Sequence, residues 1–204
     1  MSVNAVVHVV DDDSSVRTSL LKLFRAAGYA VQTYGSAAEF LARELDDRGG
    51  CVVLDLRMPG LSGLDLQQAL VAGGGGLPII FLSAHGDVPS SVQAMRAGAV
   101  DFLVKPARPA KLLAAVRSAL ERDAQTRQTQ AAERELHLRI ECLSQRERQV
   151  LVLVATGKLN KQIAAELGIT LRTVKEHRGR VMQKLGLTSV ADLVRLAERS
   201  GLMS

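Results

Sequence analysis

The chain has 204 residues, of which 47% are hydrophobic and 23% charged, a composition typical of globular rather than disordered proteins. We expect a cytoplasmic protein without a membrane segment, because no apolar run approaches the roughly 18–20 residues that span a bilayer and the N-terminus lacks the basic region of a signal peptide. The net charge of +5 is unevenly divided: residues 1–121 carry 11 Lys and Arg against 12 Asp and Glu, and residues 122–204 carry 15 against 9. A positive excess at one end of a chain indicates a module that binds a polyanion.

The first 120 or so residues alternate short apolar runs with longer amphipathic ones. Five runs predict strands: Val6–Val10, Ala30–Tyr34, Cys51–Leu54, Ile79–Leu82 and Phe102–Val104. The segments between them predict helices: Ser14–Ala27, Ser36–Leu45, Gly63–Val71, Val88–Ala97 and one that begins near Pro109. Most of the strands lack an alternating pattern, as strands buried on both faces do. This order predicts an α/β doubly wound, flavodoxin-like fold with five parallel strands.

The composition changes after residue 120. Residues 121–142 are rich in good helix formers and poor in large apolar residues, which indicates an exposed helical linker. From Leu143 onward the pattern is entirely helical. We therefore predict a first domain over residues 1–120, a helical linker over 121–142 and a small all-α domain over 143–204.

The two cysteines, Cys51 and Cys142, lie far apart, with no second Cys or His at a metal-binding spacing. We therefore expect neither a disulfide framework nor a zinc site, and we expect both to be buried free thiols in a reducing compartment.

Polar residues stand at the carboxyl ends of four predicted strands: Asp11 and Asp12, Asp55, Ser83, and Lys105. In an open parallel sheet these ends converge on the ligand crevice. Three carboxylates there would repel one another unless a cation lay among them, and hard oxygen ligands favour Mg²⁺. Asp13 has an equally good alternative role as the N-terminal cap of the helix that begins at Ser14.

Four motifs resemble the receiver domain of two-component response regulators: Val9-Val10-Asp11-Asp12-Asp13, Val53-Leu54-Asp55-Leu56-Arg57-Met58-Pro59-Gly60, Phe81-Leu82-Ser83-Ala84-His85-Gly86 and Asp101-Phe102-Leu103-Val104-Lys105-Pro106. The resemblance implies that Asp55 accepts a phosphoryl group from a sensor histidine kinase. It also implies that Asp11, Asp12, Asp55 and the main-chain carbonyl of Arg57 hold Mg²⁺. Lys105 would pair with the phosphate, Ser83 would hydrogen-bond the phosphoryl oxygens, Phe102 would be the switch aromatic, and the Lys105–Pro106 bond would be a candidate for the cis form.

Other chemistry fits less well. Haloacid-dehalogenase-type phosphatases also use a nucleophilic Asp with Mg²⁺, Lys and Ser or Thr, but their second Asp is replaced here by Arg57. Gly73–Gly76 lacks the Gly-Lys-Ser/Thr ending of a phosphate-binding loop, so we expect a connection between a helix and a strand. His85 is expected to be a loop residue, with a catalytic role as the weaker alternative. His8, inside the first strand, is expected to pack in the core.

The all-α domain contains a helix-turn-helix pattern. Ser144 and Glu147 have the spacing of a capping box before Val150–Val154. A short helix from Asn160 leads through Gly168 to a Thr170 cap and a basic helix, Leu171–Leu185. On that helix, Val174, Val181 and Leu185 share the face toward the core. The opposite face, free to enter a major groove, carries Arg172, Lys175, Glu176, Gly179 and Gln183. A merely solvated cationic helix is the alternative.

Leu143-Ser144-Gln145-Arg146-Glu147, Asn160-Lys161-Gln162-Ile163-Ala164 and Thr173-Val174-Lys175-Glu176-His177 resemble the LuxR-type DNA-binding domain, which with the receiver gives the FixJ/NarL architecture. The residues expected to bind DNA are Arg172, Thr173, Lys175, Glu176, Arg178, Arg180 and Lys184. Lys175 and Glu176 would reach base edges, and Arg180 and Lys184 would contact phosphates. Gly179 departs from the longer residue often found there.

The two resemblances imply a transcription regulator, not an enzyme. Its partners would be a kinase, double-stranded promoter DNA and RNA polymerase. It would form a homodimer when phosphorylated, with a last helix carrying Val190, Leu193, Val194 and Ala197 as the dimerisation element. The alternative is a DNA-binding regulator that works independently of phosphorylation.

Overall fold

The computed structural model describes residues 5–43, 48–73, 76–84 and 87–199. The chain divides into two compact units, Met1–Gln128 and Thr129–Ser204. Within the described part of the chain, no helix combines the length and apolar character needed to cross a membrane.

The first unit contains a five-stranded parallel sheet. Its strands are β1 (Val6–Val10), β2 (Ala30–Tyr34), β3 (Gly50–Leu54), β4 (Ile79–Ser83) and β5 (Asp101–Val104). They are arranged in the order β2-β1-β3-β4-β5, and every neighbouring pair is parallel. This confirms the predicted doubly wound fold, and each predicted strand is present with bounds that differ by at most one residue.

The helices of the first unit cover both faces of the sheet. They are α1 (Ser14–Ala26), α2 (Ala37–Leu41), α3 (Gly63–Ala72), α4 (Val88–Arg96) and α5 (Pro109–Glu141). One core joins Val7 and Val9 of β1 to Phe24 of α1 and to α5. The other joins Val10 to Phe40 of α2 and to α3 and α4. Because β1, β3 and β4 are buried along their whole length, both faces of these strands lie in the interior, which explains the absence of alternation in the sequence.

Helix caps fix where the helices begin. The Asp13 carboxylate accepts a hydrogen bond from the Ser15 amide at 2.8 Å, so Asp13 has the capping role that was its alternative. Ser36 caps α2, which ends at Leu41, earlier than predicted. Residues 44–47, which include the predicted end of that helix, lie outside the described residues.

Residues 121–141 of the predicted linker belong to α5, which continues without a break to Glu141. We expected this segment to be exposed, but Asp123 is buried. Its carboxylate accepts a hydrogen bond from the amide of Gly50, the first residue of β3, at 3.0 Å and pairs with Arg127 at 3.2 Å. Gly49, with φ +74°, makes room for this contact, since a Cβ there would lie 2.5 Å from the Asp123 oxygen.

The second unit contains the end of α5 and four further helices: α6 (Gln145–Ala155), α7 (Asn160–Leu167), α8 (Leu171–Leu185) and α9 (Val190–Arg199). The predicted capping box of Ser144 and Glu147 is confirmed. Gly168 ends α7 in the left-handed conformation, with φ 65°, and Thr170 caps α8. These two residues produce the short turn of the helix-turn-helix.

The core of the second unit draws on all of its helices, including Ile140 at the end of α5 and Val150 of α6. From α9 it takes Leu193 and Leu196, both buried. The stripe predicted to mediate dimerisation therefore includes one residue, Leu193, that is used by the core of its own domain. The side chains of Val190 and Ala197 lie outside the described residues.

The cysteine prediction is correct for one residue only. Cys51 is buried in β3, whereas Cys142, beyond the end of α5, is exposed. Burial raises the pKa of the Cys51 thiol to about 12, with a further contribution from the Asp123 carboxylate. The prediction that Cys142 is buried was wrong, because the turn between α5 and α6 presents it to solvent.

Candidate functional site

Two neighbouring strands bring the acidic residues together. Val10 of β1 and Leu54 of β3 are partners in the sheet register, so the next residues, Asp11 and Asp55, emerge side by side. Carboxylate oxygens of Asp11, Asp12 and Asp55 all lie within 4.8 Å of one another. Asp11 and Asp55 are buried and Asp12 is exposed. Three carboxylates at this spacing can hold one metal ion.

Lys105 supplies a positive charge to the same cluster. Its amide donates to the Ser83 carbonyl at 2.8 Å, which continues the pairing of β4 and β5 to the sheet edge. Its Nζ atom lies 2.6 Å from Asp11 Oδ2 and 2.9 Å from Asp55 Oδ2. Burial alone would lower the pKa of Lys105, but the hydrogen bonds to the two carboxylates outweigh it and raise that pKa. The lysine is therefore a protonated ammonium that bridges two acids.

Burial also affects Asp11. It raises the pKa of this carboxyl group above the ordinary value, although the hydrogen bond from Lys105 acts in the opposite direction. The ionised form of Asp11 therefore depends on neighbouring positive charge. A divalent cation would supply more of that charge than one ammonium group does.

Ser83 and Phe102 occupy the positions that the sequence predicts. Ser83 is the last residue of β4 and is buried at the same edge of the sheet as the acids. Phe102 is half-buried on β5, and its ring stacks on Phe81 with 6.0 Å between centroids. Their roles as switch residues stay predictions.

Arg57 follows the predicted phosphoacceptor by two residues. Its amide lies 3.4 Å from Asp55 Oδ1, and its guanidinium pairs with Asp87, the N-terminal cap of α4, at 3.4 Å. The use of its carbonyl as a metal ligand stays a prediction. The Lys105–Pro106 peptide bond is cis, as predicted.

The remaining sequence candidates have structural explanations or lie outside the described residues. His8 is buried in β1, with its Nδ1 atom 3.2 Å from the Tyr34 hydroxyl and its ring edge-on to Phe40, which confirms a core residue. Gly73 caps the end of α3. Residues 74–75 and His85 are outside the described residues.

Two residues near the acidic cluster were missed by the sequence interpretation. Arg17 of α1 donates from Nη1 to the carbonyl oxygens of Asp11 at 2.6 Å and Asp12 at 3.0 Å. Gly63 begins α3 so close to β3 that a Cβ there would lie 2.2 Å from the Asp55 carbonyl oxygen. For Arg17 a local signal exists, because a cation near the N-terminus of a helix opposes the helix dipole and is unusual. Gly63 carries no comparable signal.

The basic helix α8 has the two faces that its periodicity predicts. Val174, Val181 and Leu185 are buried in the core of the second unit. The outward side carries five exposed residues: Arg172, Lys175, Glu176, Gly179 and Gln183. Arg172 Nε pairs with Glu176 Oε1 at 3.1 Å along this side. Arg180 is also exposed, on its flank.

Three other predicted DNA contacts are bound within the domain. Thr173 is half-buried, and its hydroxyl lies 2.9 Å from the Thr170 hydroxyl that caps the helix. Arg178 donates to the Asn160 side chain at the start of α7. Lys184 Nζ lies 2.7 Å from Glu147 Oε2 and 3.2 Å from the Cys142 carbonyl oxygen. The structure thus places these side chains in intradomain contacts, and their contact with DNA stays a prediction.

Comparison with known families agrees with both halves of this description. The family model "Response regulator receiver domain" matches residues 7–117, and "Bacterial regulatory proteins, luxR family" matches residues 141–197. The chain belongs to the response regulators. This response regulator combines a receiver domain, the kind of domain that takes its signal from a kinase phosphodonor, with a LuxR-type DNA-binding domain. Relatives with this pair of domains are transcription regulators rather than enzymes, so the phosphatase alternative is wrong.

The response regulator is similar to several full-length proteins. It is 50% identical to Nodulation protein W of Bradyrhizobium diazoefficiens over 98% of this chain and 88% of that one. It is 46% identical to Response regulator protein TodT of Pseudomonas putida over 96% and 86%. Among solved structures, the response regulator StyR aligns with a TM-score of 0.86 and 47% identity over 96% of this chain and 99% of that one. Full-length FixJ from B. japonicum aligns with a TM-score of 0.59 and 40% identity over 98% of each.

Proposed function

We propose that Asp55 accepts a phosphoryl group from the phosphohistidine of a sensor histidine kinase and that this modification controls binding to promoter DNA. In this proposal, residues 1–120 act as the receiver, 121–142 as the linker and 143–204 as the DNA-binding domain. The observation that carries the proposal is the bridge from Lys105 Nζ to Asp11 and Asp55, within a group of three converging carboxylates.

The cluster fits a magnesium ion. Its three carboxylates carry three negative charges against the single ammonium of Lys105, so an unbalanced negative charge remains at a partly buried site. All of the donors are hard oxygens, which Mg²⁺ prefers. We propose that Asp11, Asp12, Asp55 and the Arg57 carbonyl hold Mg²⁺. The bound ion would neutralise charge on the phosphoryl group during transfer.

For phosphoryl transfer the protein then needs to do little more than position the reacting groups and neutralise their charge. A carboxylate oxygen of Asp55 attacks the phosphorus atom, a P–O bond forms, and the P–N bond to the kinase histidine breaks, with its electron pair returning to the imidazole. Lys105 is close enough to Asp55 to pair with the new phosphate. The Ser83 hydroxyl, at the same sheet edge, donates to a phosphoryl oxygen, and the half-buried ring of Phe102 moves inward behind it.

We propose that the phosphorylated protein forms a homodimer. Four large apolar side chains are exposed on α4 and the adjacent β5: Val88, Val92, Met95 and Val104. Exposed apolar residues grouped on one surface are typical of an interaction site. This surface begins at the helix that follows Ser83, so phosphorylation can alter it. The exposed apolar residues favour it over α9, whose Leu193 and Leu196 are used in their own core.

We propose that α8 enters the major groove of double-stranded DNA. Lys175 would donate to guanine and Glu176 would accept from cytosine. Arg172 and Arg180 are exposed and would contact phosphates. Thr173, Arg178 and Lys184 also belong to α8, and because their side chains are bound within the domain, their contribution to DNA binding would be to hold the helix in place. The protein would act in the cytoplasm, with RNA polymerase as a further partner at the promoter.

The test compares Asp55→Asn with Asp65→Asn in the full-length protein. Asp65 is an exposed carboxylate of the same domain. It belongs to the capping box of α3 and has no part in the proposed phosphorylation site. Incubation with acetyl phosphate and Mg²⁺, followed by phosphate-affinity electrophoresis, should label the wild type and Asp65→Asn but not Asp55→Asn. Labelling of Asp55→Asn at the wild-type rate would overturn the site.

A promoter gel shift decides between this proposal and a regulator that is independent of phosphorylation. We expect the phosphodonor to strengthen the gel shift produced by the wild type and to leave the gel shift produced by Asp55→Asn unchanged. An identical shift in all four reactions would favour the independent regulator.

A further inference from the structure

The loop that joins β1 to α1 is held by one arginine from the helix that follows it. Arg17 is the fourth residue of α1 and is half-buried. Its Nη1 atom donates to the carbonyl oxygens of Asp11 and Asp12, at 2.6 and 3.0 Å, and its amide donates to the carbonyl of Asp13 at 3.0 Å. One residue therefore binds three consecutive carbonyls of the loop.

The other contacts of this loop hold Asp11 more firmly than Asp12. Asp11 is buried, its amide donates to the Tyr34 carbonyl, and its side chain is held by Lys105. Asp12, by contrast, is exposed, so packing does little to fix its carboxylate. The peptide group that follows Asp12 is held on both sides, because the Asp13 amide donates to Asp11 Oδ1 at 3.0 Å and the Asp12 carbonyl accepts the hydrogen bond from Arg17. The direction of the Asp12 side chain follows from that backbone.

We propose that Arg17 is a positioning residue for the magnesium site. It acts through the main chain of Asp11 and Asp12 and contacts neither the ion nor the phosphoryl group. This inference rests on the proposed function, since it concerns the same metal site. Groups that orient metal ligands typically contribute 10–100-fold to metal affinity, although they do not bind the metal themselves.

Electrostatics and positioning predict opposite effects for the loss of Arg17. Its guanidinium lies within 3.0 Å of carbonyl oxygens of two predicted ligand residues, well inside the screening distance of about 8–10 Å at ordinary salt. Removing a positive charge so close to the predicted ligand residues would strengthen the binding of a divalent cation. Removing a group that orders the ligands would weaken it. The sign of the change therefore distinguishes the two effects.

The experiment measures Mg²⁺ affinity of the unphosphorylated full-length protein by isothermal titration calorimetry. Arg17→Gln is compared with Arg25→Gln, which removes an equal charge from the exposed last turn of the same helix. We expect Arg17→Gln to bind Mg²⁺ about tenfold more weakly than the wild type, and Arg25→Gln to bind it as the wild type does. Saturating Mg²⁺ should restore labelling of Arg17→Gln by acetyl phosphate toward the wild-type rate.

Arg17→Lys keeps the charge but loses the planar fork, so we expect an affinity between those of Arg17→Gln and the wild type. If Arg17→Gln does not fold, as judged by circular dichroism, Arg17→Lys alone decides, and an unchanged affinity overturns the inference. Unchanged or tighter Mg²⁺ binding by a folded Arg17→Gln also overturns it. Failure of the underlying function gives a different result, because the wild type itself would then bind no Mg²⁺ or accept no phosphoryl group at Asp55.

Discussion

Replacing Lys184 with methionine separates two roles that the sequence cannot distinguish. The position of Lys184 on the basic helix predicts a contact with a DNA phosphate. In the structure its Nζ atom lies 2.7 Å from Glu147 Oε2, and the Glu147 side chain is only 4% exposed. Methionine keeps the apolar stem of the lysine but removes the charge. We expect Lys184→Met to destabilise the second unit more than it weakens DNA binding.

The magnitude follows from the burial of the two partners. A hydrogen bond to a charged group contributes about 1.5–3 kcal/mol. The Lys184 side chain is 40% exposed, so solvent screening reduces the loss to about 1–2 kcal/mol. For a domain of 60–100 residues, each kcal/mol shifts the melting temperature by about 4–8 °C. The variant should therefore melt several degrees below the wild type.

The probes available in this chain can assign that shift to one unit. Both tyrosines, Tyr29 and Tyr34, belong to the first unit, and the chain has no tryptophan. Tyrosine fluorescence thus follows the receiver, whereas far-UV circular dichroism follows the helices of both units. We expect Lys184→Met to shift the dichroism transition and leave the fluorescence transition in place.

A salt titration of DNA binding provides the matched comparison. Arg180→Met removes an exposed cation from the same helix. It should leave stability unchanged and reduce the slope of log affinity against log salt concentration by about one. Lys184→Met should keep the wild-type slope. A Lys184→Met variant with wild-type stability and a reduced slope would refute the reasoning and make Lys184 a phosphate contact.

Three further predictions concern single groups. The hydrogen bond from Lys184 is the main reason that the pKa of Glu147 lies below its ordinary value of 4.5, so the ionised side chain stabilises the fold above that pH and the contribution is lost as the pH falls below it. Acid titrations of stability should show this loss in the wild type but not in Glu147→Gln, and equal pH profiles would contradict it. Lys175→Ala should weaken binding to the specific site by about 1–3 kcal/mol, measured by fluorescence anisotropy, whereas an equal loss on random DNA would indicate a phosphate contact. Ellman's reagent should modify Cys142 and spare Cys51, whose burial raises its pKa to about 12; rapid native modification of Cys142→Ser would show that Cys51 is accessible.

The strands were predictable because the sheet is buried on both faces. An apolar run such as Val6–Val10 can belong only to the interior, and its length excludes a long helix. The end residues were harder to assign. Gly50 has a low strand propensity, yet it is the first residue of β3. Only glycine fits at this position, because a Cβ there would lie 2.0 Å from the Val6 carbonyl oxygen. That constraint comes from the neighbouring strand β1, so it cannot be inferred from the residues next to Gly50 in the sequence.

The acidic cluster was predictable for a topological reason. Once the strands are known to be parallel, residues that follow them must meet at one edge, so Asp11, Asp55 and Lys105 follow from the fold itself. Asp123 follows from no such rule. Its burial depends on the crossing of α5 over the start of β3, and its partner, the Gly50 amide, is 73 residues away in sequence. The composition of the linker correctly predicted a helix, but the prediction that its residues are exposed was wrong at Asp123.

The positive charge toward the C-terminal end of the sequence shows the same difference between pattern and contact. Residues 122–204 carry six more cations than anions, and this excess correctly indicates DNA as the partner. It does not indicate which cations meet the DNA. On α8, Arg178 is bound to Asn160 and Lys184 to Glu147, contacts that hold the helix on its own domain. A salt dependence of DNA binding that counts every cation of α8 would therefore exceed the dependence that we expect, because a cation committed to the scaffold displaces no counterion from the phosphates.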